Sequence, residues 1–356
     1  MRELFSAPLY VDVSITDCCN LSCVYCYADA NAKRHSHMDV RLFEKIVREL
    51  EEAGVHYLRI AGGEPFMHPQ VNEIMEICRK TKMIKSVSTN ATFINAQTVN
   101  IIKNNSIDWV VVSLDGATEE INNITRGGYS EVIDGIKILI ENGITTKIAC
   151  VVSSINCHHI EEIVEMAEQM GVYSVGFILQ SDVGRAHDNI GSINLSRDDL
   201  ENFIKNVTIL KSKKYNVKIG VVFPYESKMP WELSELLSEE QVDTYWPEYS
   251  FKSKENSVSC MAGIMTCAIS STGMLFGCEQ MLGFPELSSG SLKEESFKNL
   301  WEKMENINIL RNLNINMLPK KCQVCKNYCG GGCRAIAYEN TGDLLGNDTR
   351  CDLLYE

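Results

Sequence analysis

The chain lacks several features that would define its surroundings. None of its apolar runs approaches the ~20 residues that a membrane-spanning helix needs. The N-terminus, Met1 to Pro8, does not have the charged, apolar and small-residue order of a secretory signal. The formal net charge is −13, and no cluster of lysine and arginine stands out. We therefore expect no membrane partner and no nucleic-acid partner.

Cysteine, in contrast, is abundant, with 15 residues in a chain of 356. Because nothing indicates secretion, this number favours metal ligation in a reducing cytoplasm over disulfide bonds. The apolar share of 45% is ordinary for a globular protein. The length indicates about two domains.

Short apolar segments alternate with helical patterns over residues 1–223. The predicted strands are Leu9–Ile15, Tyr57–Ala61, Ser86–Thr89, Trp109–Leu114, Thr146–Val152, Ser174–Leu179 and Val217–Val222. Strands that alternate with helices in this way predict parallel βα units. About six units indicate an α/β fold, a partial TIM-like (β/α)6 barrel, whose chemistry lies at the C-terminal ends of the strands.

Two further segments follow the predicted barrel. Residues 224–258 combine prolines and tryptophans with charged residues, which indicates a linker or bridging segment with some helix near Trp231–Leu237. Residues 259–356 contain eight of the cysteines and predict a small cysteine-rich α+β domain. Within it we predict a hairpin of Met265–Ser270 and Gly273–Cys278, and a helix at Ser296–Asn306.

The loop after the first predicted strand carries a compact cysteine motif. Cys19, Cys23 and Cys26 have the spacing C-x3-C-x2-C. A [4Fe–4S] cluster normally takes four cysteines, so three ligands leave one iron open for chemistry. The alternatives are zinc or a reactive thiol. A zinc site usually needs a second cysteine pair, and the sequence has none nearby.

The stretch from Cys19 to Tyr27 reads C-N-L-S-C-V-Y-C-Y and resembles the radical S-adenosylmethionine (SAM) enzymes. The resemblance implies that SAM binds the open iron and is cleaved to a 5′-deoxyadenosyl radical, with an electron donor such as flavodoxin or ferredoxin. It implies that the backbone of Tyr25 faces the adenine. Gly62, Gly63, Glu64 and Pro65 resemble the family's G-G-E-P motif, which implies binding of the SAM amino group.

Three more segments match the family, and two of them lie at the ends of predicted strands. Ser88 and Asn90 lie in a segment that resembles T-N-G, with alanine in place of the glycine, and Ser113 and Asp115 resemble S-x-D-G. Arg126 matches an arginine that pairs with the SAM carboxylate. These matches imply cofactor contacts. The alternative is that the same side chains cap helices or form surface ion pairs.

The C-terminal cysteines resemble the SPASM extension of radical SAM enzymes, with three residues instead of five between Cys325 and Cys329. The resemblance implies two auxiliary [4Fe–4S] clusters, and thus three clusters in all. The implied ligands of one are Cys260, Cys267, Cys278 and Cys333. Those of the other are Cys322, Cys325, Cys329 and Cys351. Two structural zinc sites are the alternative.

SPASM-type enzymes mostly modify peptides and proteins, so the resemblance implies a peptide or protein substrate that is crosslinked through a thioether or carbon–carbon bond, or oxidised. Glu279 directly follows Cys278, where the sulfatase-maturing relatives have a catalytic aspartate, and is our candidate base. Only 18 residues precede Cys19, so we expect a separate leader-binding protein or a small substrate.

Two rival functions remain open. One is a radical SAM dehydrogenase of a small molecule, such as an aminoglycoside or sugar alcohol. The other is a non-enzymatic electron carrier. The open iron and Gly62–Pro65 argue against a carrier, because electron storage needs neither.

Overall fold

The computed structural model of the chain describes residues 5–222, 236–247, 260–324, 331–348 and 350. In this part of the chain nine strands form one sheet, in the order β7-β6-β5-β4-β3-β2-β1-β8-β9. The strands are β1 (Tyr10–Ser14), β2 (Tyr57–Ala61), β3 (Ile84–Thr89), β4 (Trp109–Ser113), β5 (Thr146–Val152), β6 (Ser174–Leu179), β7 (Lys218–Val222), β8 (Thr266–Ile269) and β9 (Leu275–Phe276).

Strands β1 to β7 pair in parallel and in chain order. Six crossovers connect these seven strands, and the sheet remains open at β7 and β9. The predicted α/β fold with a partial barrel is therefore confirmed. The C-terminal ends of the strands form one edge, where the loops after β1, β2, β3, β4 and β6 meet.

Helices lie in the segments that connect β1 to β7. They are α1 (Val40–Ala53), α2 (Val71–Arg79), α3 (Ala96–Asn104), α4 (Glu119–Thr125), α5 (Tyr129–Glu141), α6 (Ile160–Met170), α7 (Arg185–Asp188), α8 (Ile190–Ile193) and α9 (Arg197–Ser212). Later helices span Glu239–Tyr245, Phe297–Lys303, Asn308–Arg311, Lys320–Val324 and Arg334–Thr341. In the described part of the chain, no helix is both long and apolar enough to cross a bilayer.

Local sequence signals explain why α1 begins and ends where it does. The side chain of Asp39 accepts hydrogen bonds from the first-turn amides, and Gly54 ends the helix in the left-handed conformation with a φ of 88°. Apolar residues spaced three and four apart, among them Phe43 and Leu50, are buried against the sheet. This burial places α1 on the outer face of β1 and β2.

Alternation along β1 and β2 separates two faces of the sheet. Val11 and Leu58 are fully buried in the core under the helices. Asp12 and Arg59 are paired in register and point to the opposite, inner face. The inner wall of the barrel is therefore polar at this point.

The C-terminal region joins the barrel directly. The predicted hairpin is present as β8 and β9, and β8 also pairs in parallel with β1. One apolar core contains residues of both regions, among them Val13 and Trp301. The boundaries near residues 223 and 259 stay a prediction. Residues 231–235 of the predicted helix near Trp231–Leu237 lie outside the described part.

Candidate active site

The cysteine loop follows β1 at the C-terminal edge of the sheet. Burial raises the pKa of the Cys19 thiol to about 12, and nearby Glu64, Cys23 and Cys26 also raise it. Burial likewise raises the pKa of Cys23. Thiols with high pKa values in a buried loop are stabilised as thiolates when a metal cation is bound. The donor set therefore fits an iron–sulfur group.

The spacing of the sulfur atoms also bears on the kind of metal group. Among the described residues, only Cys157, His158 and Asp199 form a three-ligand group whose donor atoms all lie within 4.8 Å of one another. Two cysteine sulfurs on a single zinc ion are roughly 3.8 Å apart, from a Zn–S bond of about 2.3 Å. Cys19, Cys23 and Cys26 do not form such a group, so the three thiols are not gathered around a single ion.

Gly62 and Gly63 allow the loop after β2 to pack against the cysteine loop. A Cβ atom on Gly62 would lie 2.2 Å from the Thr16 carbonyl oxygen, and one on Gly63 would lie 2.2 Å from the Cys18 carbonyl oxygen. The Gly63 amide donates to Thr16 at 2.7 Å, and the Glu64 amide donates to Cys18 at 2.8 Å. The two loops are thus fixed to each other.

Glu64 is fully buried just after these glycines. Its carboxylate accepts hydrogen bonds from Thr89 Oγ1 at 2.8 Å, the Asn90 amide at 2.7 Å and the Phe66 amide at 3.1 Å. Burial raises its pKa to about 7. Within the described ranges it has no cationic partner. Pro65 follows as the first residue of a short 3-10 turn.

Asn90 connects the end of β3 to the cysteine loop. Its side-chain amide donates to Asn20 Oδ1 at 2.8 Å and lies 3.8 Å from Cys19 Sγ. The predicted site residue Ser88 lies two positions earlier on β3 and is half-buried. Asn90 is therefore close enough to influence a group bound to Cys19.

Asp115, just after β4, is fully buried and has several polar partners. Its carboxylate accepts hydrogen bonds from the Tyr25 hydroxyl, from Thr125 Oγ1 at 2.9 Å and from the Val151 amide at 3.0 Å. It also forms an ion pair with Arg126, with 3.0 Å between Nε and Oδ2. Burial raises the pKa of this carboxyl, while Arg126 and the hydrogen bonds from Val151 and Thr125 lower it. Asp115 thus fixes both Tyr25 and Arg126.

Arg126 connects Asp115 to the cysteine loop. Its guanidinium lies over the Tyr25 ring, 5.1 Å from the centroid, and Nη1 lies 3.8 Å from Cys23 Sγ. Ser113, at the end of β4, is half-buried two residues before Asp115. The predicted roles of Ser113 and Arg126 in binding SAM stay predictions, and the position of Arg126 places a cation beside a cluster ligand.

The candidate base Glu279 faces the inner wall of the barrel. Its Oε1 lies 3.8 Å from Arg59 Nη2, and Arg59 Nε lies 2.5 Å from Asp12 Oδ1. Burial raises the pKa of Asp12 to about 8, and Glu279 also raises it. Sequence reasoning missed Asp12 and Arg59. The available signal was a single polar residue inside the apolar runs V-D-V and L-R-I.

Three of the C-terminal cysteines are neighbours. Burial raises the pKa of Cys278 and that of Cys333, and Cys260 contributes to both increases. Cys267 is fully buried in the apolar core. Cys322 is half-buried against the same core. The other predicted ligands, Cys325, Cys329 and Cys351, lie outside the described residues.

A cavity of about 340 Å³ lies between the cysteine loop and the C-terminal region. The loop contributes Tyr27 and Asp29, the segment after β6 contributes Val183, and the C-terminal region contributes Phe284 and Glu339. Its volume is in the range of small-molecule and side-chain sites. The cavity also borders Gly62 and Gly63.

Comparison with known proteins gives both a family and relatives. A family model, described as the Radical SAM superfamily, matches residues 13–169. The chain is 27% identical to an AdoMet-dependent heme synthase of Methanosarcina barkeri, over 99% of this chain and 98% of the relative. It is 25% identical to the mycofactocin maturase MftC of Mycobacterium tuberculosis, over 97% of this chain and 83% of that protein.

A solved structure shares the fold. Streptococcus suis SuiB bound to S-adenosylmethionine superposes with a TM-score of 0.76 and 20% identity, over 98% of this chain and 78% of SuiB. The cysteine-rich C-terminus is consistent with the SPASM extension of the maturases. The region of the chain that matches the Radical SAM superfamily, residues 13–169, includes the cysteine loop and the loops after β2, β3 and β4.

Proposed function

We propose that this protein is a SPASM-type radical SAM oxidoreductase that abstracts a hydrogen atom from a peptide or protein and so starts an oxidative modification. The observation that carries the proposal is the position of Cys19, Cys23 and Cys26. Cys19 is buried, Cys23 and Cys26 are half-buried, and their loop lies at the C-terminal edge of the barrel, hydrogen-bonded to Gly63 and Glu64.

The side chains around this loop have distinct tasks in the proposed reaction. When bound, a [4Fe–4S] cluster supplies the electron that cleaves SAM. Cys19, Cys23 and Cys26 would hold it through their three thiolates. We assign the Glu64 carboxylate to the SAM ammonium group, because it is buried with no cationic partner in the described structure. Arg126 keeps a positive charge next to Cys23.

We assign the substrate to the 340 Å³ cavity. Two lining carboxylates, Asp17 and Glu339, have only neutral partners in the described part of the chain, namely Ser271 Oγ at 2.9 Å and the Gly184 amide at 3.4 Å. Unneutralised carboxylates favour neutral or basic substrate groups over acidic ones. A peptide segment with neutral or basic side chains meets this condition.

Haem synthesis is the second candidate, because the similarity to the heme synthase extends over 99% of the chain. A haem-type tetrapyrrole carries propionate carboxylates, which Asp17 and Glu339 would repel. Uncharged or basic peptides and a carboxylated porphyrin, each offered with SAM, distinguish these candidates by which of them increases SAM turnover and gives a product.

Glu279 is the proposed proton acceptor for the substrate radical. Arg59 holds its carboxylate towards the inner wall of the barrel. An auxiliary cluster, with Cys260, Cys278 and Cys333 as neighbouring ligands and Cys267 as the proposed fourth, supplies an electron acceptor when bound. We assign Cys322, Cys325, Cys329 and Cys351 to the second auxiliary cluster. A flavodoxin or ferredoxin is the proposed donor, and a separate leader-binding protein the proposed peptide carrier.

The test is anaerobic SAM cleavage by the reconstituted enzyme. With dithionite as reductant, the wild type should release 5′-deoxyadenosine, and the triple variant Cys19→Ala, Cys23→Ala, Cys26→Ala should release none. Cys18→Ala is the matched control, because Cys18 lies in the same loop outside the motif. SAM cleavage by the triple variant at the rate of the control would refute the proposal.

A further inference from the structure

A segment that the mechanism does not use lies against the cysteine loop. It begins at Gly184, after β6, and continues through α7 to Asn189. Gly184 has a φ of 62°, and a Cβ atom there would lie 2.7 Å from the Tyr27 carbonyl oxygen and 2.8 Å from that of Cys26. Glycine is required for this approach. The segment is thus built to contact the loop.

Arg185 makes most of the side-chain contacts. Its Nε donates to the Cys23 carbonyl at 2.9 Å, and its Nη2 donates to the Ala30 carbonyl at 3.0 Å. Its Nη1 forms an ion pair with Asp29 Oδ1 at 2.7 Å. The side chain is only 17% exposed. One planar guanidinium therefore connects the middle and the end of the cysteine loop with all three of its nitrogens.

Two more hydrogen bonds connect the same segment to the backbone of the cysteine loop. The Arg185 amide donates to the Cys26 carbonyl at 3.2 Å, and Asn189 Nδ2 donates to the Val24 carbonyl at 2.9 Å. The carbonyl groups of two cluster ligands, Cys23 and Cys26, are therefore bound by one short segment.

We propose that Arg185 is a positioning residue that holds the cysteine loop in its ligating shape before iron binds. The inference rests on the proposed function in one respect, the assignment of Cys19, Cys23 and Cys26 to the reactive cluster. Fixing a free loop costs backbone conformational entropy for each residue that becomes ordered. A loop that is already ordered presents its thiols to iron without that cost at the moment of binding.

The contacts of Arg185 allow an effect of its side-chain shape to be separated from an effect of its positive charge. Three acceptors at separate positions match the planar fork of arginine, whereas a lysine ammonium is a single point charge. If the role is positioning, Arg185→Lys should behave like Arg185→Gln. If only the positive charge near Cys23 mattered, Arg185→Lys would behave like the wild type.

The first experiment uses limited trypsin digestion of the full chain before cluster reconstitution. Lys33 and Arg34 are exposed cleavage sites just after the loop. We expect the initial rate of cleavage there to rise at least about five-fold in both Arg185 variants, because an unheld loop opens more often. Arg48→Gln is the control, since Arg48 is an exposed arginine on α1. Circular dichroism identifies any variant that is globally unfolded.

Asn189→Ala gives a second, milder test if an Arg185 variant does not fold. It removes one bond to the loop and should raise the cleavage rate by a smaller factor. Unchanged cleavage in folded Arg185→Gln, or wild-type behaviour of Arg185→Lys, would overturn the inference. A wild type that does not cleave SAM would refute the proposed function and leave the digestion result standing.

The reconstituted enzyme provides an independent measurement. Both Arg185 variants should lose iron to a chelator faster than the Arg48→Gln control. The excess loss should come from the cluster whose electron paramagnetic resonance (EPR) signal responds to SAM. Equal rates of loss from all the clusters, as a general loss of stability would produce, would contradict a specific effect on the loop.

Discussion

The two groups of cysteines differ in how the chain holds them. Cys19, Cys23 and Cys26 lie within eight residues, and hydrogen bonds from β3, the loop after β2 and the segment after β6 hold their loop. Cys260, Cys278 and Cys333 come from distant positions, and the latter two are half-buried against an apolar core that they share with β1. The first group comes from one short loop that distant elements hold by hydrogen bonds, whereas packing brings the second group together from separate parts of the chain.

From this difference we infer that the two groups of cysteines serve separate steps of the proposed reaction. The first lies beside Glu64 and Asp115, whose contacts suit cofactor binding. The second lies next to Glu279 and the inner wall. If each group has its own task, a variant of one should leave the task of the other intact.

The largest expected effect separates the two groups directly. Cys23→Ala should abolish SAM cleavage, because the reactive cluster loses a ligand. Cys278→Ala should keep SAM cleavage within a few-fold of wild type, lower the iron content by about a third and stop product formation. Iron analysis and 5′-deoxyadenosine assays provide the measurements. Loss of SAM cleavage in a folded Cys278→Ala enzyme would show that the tasks are not separable.

The next effect concerns Glu279, which lies beside the second group of cysteines. Glu279→Gln removes the proposed proton acceptor, so product formation should fall by a factor of about 10²–10⁴. Release of 5′-deoxyadenosine should be largely unchanged. Glu286→Gln, an exposed glutamate in the same region, is the control. Product formation within a few-fold of wild type would indicate that the Arg59 contact of Glu279 is structural only.

A smaller effect, on SAM binding, is expected for Glu64, which lies beside the first group of cysteines. Glu64→Gln should weaken SAM binding by about 1.5–3 kcal/mol, because a charge-assisted bond to the ammonium is lost. In the variant, the NH2 group of the glutamine faces Thr89 Oγ1 and the Asn90 amide, which are themselves hydrogen-bond donors in the wild type. Because this can destabilise the fold, the unfolding temperature is measured alongside the SAM titration. Unchanged SAM affinity in the folded variant would reject Glu64 as the ammonium partner.

The pH dependence of SAM binding sharpens this prediction. Burial raises the pKa of Glu64 from its ordinary 4.5 to about 7, so without a ligand its ionisation costs stability as the pH rises through that range. A bound ammonium favours the ionised form. SAM affinity should therefore increase between pH 5.5 and 7, by at most about ten-fold per pH unit. The increase should be absent in Glu64→Gln.

Much of the barrel could be predicted from the sequence because its signals are local. Alternating apolar segments and helix caps such as Asp39 and Gly54 depend on neighbours in the chain. One helix is shorter than predicted: it spans Phe297–Lys303, because Met304 adopts a left-handed φ of 39° that ends it. The pairing of β8 with β1 joins residues more than 250 positions apart, and no local pattern indicates it.

The candidate site shows the same limit. The motif residues Gly62 to Glu64 were identified from their spacing, but their fit against Thr16 and Cys18 required the structure. Arg185 was missed because its partners lie on a loop about 160 residues earlier in the chain. Asp12, Arg59 and Glu279 likewise converge only after β1, β2 and the C-terminal region have packed.

The most direct test of the account is the EPR spectrum of the reduced enzyme with and without SAM. If the cluster held by Cys19, Cys23 and Cys26 has an open iron, SAM should change the g-values of one cluster signal in the wild type and in Cys278→Ala. The triple variant of the motif cysteines should show no such change. A spectrum that SAM leaves unaltered in the wild type, or alters equally in the triple variant, would contradict the account.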